Sequence, residues 1–213
     1  MAFKPTRRGF SLIEVLVATA IVALLASVLL PPIQAARTRA RMTKVHAELR
    51  SVTMALTMYR QEFQETLPPT RFSCSTRTAY ELPIELKRYL PRGRKNNVEI
   101  VCMEDPFHPE ESYKYRAVGP AILNEDTILE DAATLWVPDD FPYGQSAEGS
   151  YQRNPDTSPA RYAVWSMGPD LESPKYEVPG RLPIPRPYWM MGVWDTGVIT
   201  HVEDRRGRIH MSP

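Results

Sequence analysis

From Phe10 to Leu30 the sequence FSLIEVLVATAIVALLASVLL is apolar at every position except Ser11, Glu14, Thr19 and Ser27. Coiled into a helix at 1.5 Å per residue, such a run covers roughly 30 Å, the thickness of a bilayer's hydrocarbon. Its single carboxylate, Glu14, is the constraint: an acid at mid-membrane costs about 2.5–3.5 kcal/mol on insertion scales, so it needs a cationic partner. Lys4, Arg7 and Arg8 precede the run, and residues 1–9 contain no acid. A secretory signal peptide with a cleavage site near Ala18-Thr19-Ala20 is one reading, but its apolar region is shorter and holds no carboxylate. A plain single-pass anchor explains the length and leaves Glu14 without a partner.

The residues RRG followed by FSLIEVLVATAIVALLA resemble the class III signal of type IV pilins and type II secretion pseudopilins. The resemblance implies that a prepilin peptidase cuts between Gly9 and Phe10, and that the new terminal Phe10 is N-methylated. Glu14 then becomes the fifth residue of the mature chain, where family members pair it with the terminal amine of a neighbouring subunit. Opposite charges attract strongly in a low dielectric, so polymerisation would relieve the cost of the buried acid. The resemblance further implies a homopolymer built through the N-terminal helices, served by an inner-membrane assembly platform and ATPase, together with other pseudopilins. Before assembly the chain would sit in the bacterial inner membrane as a single-pass protein in contact with lipid, its globular domain periplasmic. Afterwards it would belong to a pseudopilus or pilus.

Pro31 and Pro32 close the apolar run and remove two backbone donors, which kinks or interrupts a helix. Pro31 resembles the family's helix hinge; a simple break at the membrane boundary is the alternative. Beyond them Met42, Val45, Leu49, Val52, Leu56, Tyr59 and Phe63 recur at spacings of three and four, one face of an amphipathic helix. A coiled-coil partner would fit that face, but a proline-rich domain that needs a core follows directly, so the C-terminal half of the helix is expected to pack on the chain's own sheet. The polar side is basic, with Arg37, Arg39, Arg41, Lys44, Arg50 and Arg60 against Glu48 and Glu62. Either acidic lipid headgroups, acidic residues of adjacent subunits or solvent can face it.

Eighteen of the 21 prolines follow residue 64, favouring short strands and ordered loops over long helices. The segment at 47–70 and the order of a DPF turn followed by Tyr113-Lys114-Tyr115 resemble the major pseudopilins. A short helix is expected within 80–91 and a half-exposed strand at 113–117, where Tyr113, Tyr115 and Ala117 alternate with Lys114 and Arg116. Further strands are expected within 161–170, leading into a Gly-Pro turn, and at 188–203 around an Asp195-Thr196-Gly197 turn. The fold class is therefore α+β and pilin-like: a long N-terminal helix, half transmembrane and half amphipathic, on a small antiparallel sheet. The expected divisions are a leader at 1–9, an assembly helix at 10–30, a stalk helix at 31–66 and a globular domain at 67–213. Within the last, 124–160 reads as an insertion forming an exposed decoration.

Cys74 and Cys102 are the only cysteines, and the implied compartment is oxidising. A disulfide between them would close a loop of about 28 residues and stabilise by roughly 3–4 kcal/mol; two separate thiols are the alternative. Related pseudopilins often carry a C-terminal calcium loop, for which Asp170 would be the start and Glu172 and Asp195 helpers. A long proline-rich stretch separates the last two and no dense acidic pattern is present, so turn-forming acids are the competing reading. No other cofactor is expected. His46, His108, His201 and His210 show no metal spacing, and no nucleophile elbow or phosphate loop occurs, so no catalytic residue is assigned. A net charge of +1, with the bases concentrated in the leader and stalk, gives no reason to expect nucleic acid as a partner. The expected function is a structural filament subunit that supports protein secretion. A minor tip subunit or tethered module binding cargo or DNA is the alternative, and a membrane-anchored enzyme is a third reading.

Overall fold

The computed structural model describes residues 11–72, 81–95, 98–123, 127–143, 146, 148–169 and 197–212. The chain divides into two units, Met1–Ala40 and Arg41–Pro213. One helix, α1 (Leu12–Glu62), runs through both.

In the first unit every described residue from Ser11 to Gln34 is exposed, including Leu12, Ile13, Leu16, Val22 and Leu24. An apolar surface of this extent is far larger than a soluble monomer tolerates, which marks it as a face for lipid or other helices. α1 is long and apolar enough to cross a membrane. Pro31 and Pro32 lie inside it and do not end it, contrary to the expected interruption. They delete only the donors that would reach the carbonyls of Ser27 and Val28, and the flanking turns of alanine, leucine and arginine keep helical geometry.

In the second unit the amphipathic face of α1 meets protein, as the three-and-four spacing requires. Val45, Leu49, Val52 and Leu56 are fully buried, Ala55 and Tyr59 nearly so, and Met42 packs at the edge. Burying each large aliphatic chain contributes about 1.5–3 kcal/mol, so this stripe is a principal source of the unit's stability. The helix stops after Glu62 because Gln64 and Glu65 turn into the left-handed region, at φ 52° and 64°. The amide of Glu65 caps the carbonyl of Arg60 at 2.8 Å, and Pro68 and Pro69 forbid a restart.

Among the described residues thirteen strands follow in chain order. They are β1 (Thr70–Phe72), β2 (Arg92–Lys95), β3 (Val98–Val101), β4 (Glu104–Asp105), β5 (His108–Ser112), β6 (Lys114–Ala117) and β7 (Gly119–Leu123). The remainder are β8 (Thr127–Ala133), β9 (Leu135–Pro138), β10 (Gly149–Gln152), β11 (Ala160–Ser166), β12 (Ile199–Asp204) and β13 (Ile209–Met211). The central sheet is antiparallel and four-stranded, in the order β13-β12-β11-β6. Tyr115, Tyr162, Val164 and Ile199 face the α1 stripe in one core. A 3-10 helix at Ile84–Arg88, where a short helix was expected, closes that core with Leu82, Leu86 and Leu90 at four-residue spacing.

The opposite face of the sheet corrects two expectations. Strand β6 is buried at all four positions, not alternately exposed. Lys114 and Arg116 stand in register with Trp165 and Ala163 on the covered face; Lys114 pairs with Glu111 at 3.1 Å, and Arg116 reaches the Thr134 hydroxyl at 3.2 Å. The cover comes from the segment expected to be a decoration. Leu135 and Val137 of β9 join Val118, Ala163, Trp165, Val198 and Val202 in a second core. A sheet apolar on both faces has to be covered on both, so 124–160 supplies part of the core. β1 joins β7 in parallel, the one departure from antiparallel pairing among the described strands, and β7 pairs with β8. The expected strand at 188–194 lies outside the described residues. β12 pairs with β11 and, through a turn at 205–208, with β13.

Candidate assembly site

Glu14 sits in the first turn of α1 and closes a capping box. The amide and hydroxyl of Ser11 donate to Glu14 Oε2 at 2.8 and 3.0 Å, while Ser11 Oγ accepts from the Glu14 amide at 3.3 Å. Ser-x-x-Glu is the sequence signature of this motif, which satisfies helix N-terminal donors and places a negative charge where the helix dipole favours it. The carboxylate is exposed in the isolated chain. Beside it Ile13, Val17, Ala18 and Ile21 form an apolar surface. The site therefore offers one charge, already oriented, on an otherwise greasy rod. Gly9 and Phe10, the expected cleavage and methylation positions, lie outside the described residues.

Polar contacts tie α1 to the sheet within the second unit. Arg60 Nη1 meets Glu203 Oε1 at 2.5 Å, and Arg161 approaches the same oxygen at 3.5 Å. Glu203 is nearly wholly buried, and both cations meet the same oxygen of it. The phenol of Tyr113 donates to Glu48 at 2.5 Å. His46 Nδ1 lies 3.2 Å from Nε2 of His201, the rings stacked at 5.5 Å between centroids. Burial pushes the His201 pKa down to about 4, reinforced by His46 and Arg50, and burial lowers that of His46 as well.

Asp204 ends β12 by holding the hairpin turn. It accepts from the amides of Arg206 and Arg208 at 2.8 and 2.9 Å, and from the side chains of Arg208 and His210 at 3.1 Å each. Burial alone would raise its pKa, but the hydrogen bonds from Arg208, His210 and Arg206 outweigh it and hold the carboxyl at about 2. Gly207, at φ 78°, allows the reversal.

Other expected residues are not brought together. Asp170, Glu172 and Asp195 lie outside the described residues, as does Cys74, while Cys102 is exposed just after β3. Among the described residues no group of three His, Cys, Asp or Glu could hold a metal. Strand parity, which puts Ile199, His201 and Glu203 on one side, was the available signal for the helix–sheet contacts. It could not reveal partners more than 140 residues away.

The first unit thus defines a membrane-compatible helix opened by a capping glutamate, and the second an α+β domain of pilin-like architecture. Residues 4–30 match the family described as the prokaryotic N-terminal methylation motif. Residues 4–30 thus carry the motif of type IV pilin-like precursors, the kind processed by prepilin peptidase. Neither the curated proteins nor the solved structures contain a match to it.

Proposed function

We propose that this chain is a structural subunit of a pseudopilus or type IV pilus-like filament that supports protein secretion. The observation that carries the reading is the methylation motif at 4–30 placed on an exposed apolar helix with Glu14 in its first turn. Peptidase cleavage after Gly9 would bare the amine of Phe10, which is then N-methylated. In the membrane the Glu14 carboxylate of one protomer pairs with the Phe10 amine of the next. The pair converts two costly lone charges into one satisfied contact, and the apolar helices exchange lipid for each other. An inner-membrane platform and ATPase would supply the work of extraction, with the globular domain on the periplasmic side and other pseudopilins sharing the filament. Pro31 and Pro32 would serve as the place where α1 bends or extends on assembly.

Intact mass and N-terminal analysis of the membrane-extracted chain, with and without a prepilin peptidase, tests this directly. The expected product begins at N-methylated Phe10 only when the peptidase is present. A chain that keeps Met1, or is cut between residues 18 and 36, refutes the reading. Glu14→Ala is expected to be cleaved normally yet to stay out of filaments; incorporation of that variant at the native level would remove Glu14 from the assembly step.

A further inference from the structure

Arg50 lines a cleft with Thr43, His46 and Ala47 of α1 and with Met211 and Ser212 of β13. No carboxylate lines it, and among the described residues Arg50 has no ion-pair partner. Its charge instead lowers the proton affinity of His46 and His201. His201 is fully buried behind the cleft, and its Nδ1 has no partner. A bare lone pair costs less in a core than a bare N–H, which assigns the hydrogen of His201 to Nε2, donated to His46 Nδ1 at 3.2 Å. His46 then keeps its own hydrogen on Nε2, the nitrogen that this contact leaves over. The cleft therefore offers donors and a positive charge, the chemistry that receives a carboxylate.

The second unit carries the complement on the other side of its central sheet. β9 covers the face opposite α1, and the β9–β10 hairpin ends where the Asp139 amide donates to the Glu148 carbonyl at 3.1 Å. Both carboxylates are exposed, and among the described residues neither forms an ion pair. Tyr143, in the same hairpin end, is 71% exposed, and Met54, one turn beyond Arg50, is 60% exposed. We propose that the Asp139–Glu148 hairpin end of one copy docks on the Arg50–His46 cleft of a second copy. The inference rests on the filament reading above. α1 and β9 pack on opposite faces of the sheet, so the two patches cannot meet within one chain. Two different patches paired head to tail propagate from copy to copy, the kind of contact that a filament requires. The carboxylates meet the guanidinium, and Tyr143 meets the Met54 thioether. An acidic lipid headgroup matches the charge without supplying the ring.

The test expresses the full chain in its native host, with the photocrosslinker p-benzoylphenylalanine at Met54. The expected adduct joins this position to a peptide from residues 139–148 of a second copy. Arg50→Glu alone, and Asp139→Lys with Glu148→Lys, should each cut the adduct roughly tenfold or more. All three changes together should restore more than half of it. The altered positions are exposed, so melting temperatures should stay at the wild-type value. An adduct only to lipid or to a neighbouring α1, in chains that begin at Phe10 and enter filaments, overturns the docking and leaves the filament reading standing. A triple variant no better than its parents does the same. A chain that is never cleaved after Gly9 and never polymerises overturns both.

Discussion

Replacing Asp204 by Asn keeps the shape of the β12–β13 turn and removes its charge. The native carboxyl is held at about 2 against an ordinary 3.8. At 1.36 kcal/mol per pKa unit this is about 2.4 kcal/mol, and because Arg208 is largely exposed, solvent screening trims it to about 1–2 kcal/mol. The folded-state pKa is depressed, so the contribution is fully present above pH 4–5 and disappears as the pH falls from about 3.8 to 2. Urea unfolding of the full chain in mild detergent is followed by the fluorescence of its four tryptophans, among which Trp136 and Trp165 are buried. At pH 7 the variant should be less stable by about 1–2 kcal/mol, and the difference should close by pH 2 because wild type falls towards the variant. A difference that stays constant from pH 7 to pH 2 would refute the charge argument. Equal stability at pH 7 would show that the turn does not need the carboxylate.

Glu203→Gln should destabilise by about 2–4 kcal/mol, since it leaves Arg60 and Arg161 beside a neutral buried group. The double replacement Arg60→Met with Glu203→Leu should recover more than half of that loss, and equilibrium unfolding of the three variants checks it. Leu49→Ala, at a fully buried position on the α1 stripe, should cost about 2–5 kcal/mol in the same assay; a loss below 1 kcal/mol would mean that α1 is not seated on the sheet. Cys102 stands as a free, exposed thiol, so thiol titration of the unreduced, denatured chain should find it reactive, and no reactive thiol before reduction with two after would restore its disulfide with Cys74. Two thiols before reduction would exclude the disulfide.

Local chemistry made much of this protein legible. The Phe10–Leu30 run specified a membrane-length helix, and Ser11 and Glu14 contain within four residues the reciprocal bonds that start it. The three-and-four spacing from Met42 to Tyr59 determined which face of α1 is buried, because a rigid period of 3.6 converts sequence spacing directly into direction. The strand expected within 161–170 also stands, as β11. These features depend on neighbours within a turn or a pleat.

Tertiary structure decided what depends on distant partners. Alternation in Tyr113 to Ala117 suggested a solvated face, yet Lys114 and Arg116 are buried because β9, some 20 residues on, covers that side of the sheet. The same long-range pairing made 124–160 part of a core. It also brought His46 to His201 and Arg60 to Glu203. Pro31 and Pro32 carry a strong local signal for a break, which the helix on either side overrides. Periodicity reports the direction in which a side chain points, whereas what it points at is set only when the chain closes on itself. The sequence by itself therefore determined the helix and its capping acid, and tertiary packing decided the second core and the polar joints that lock α1 to the sheet.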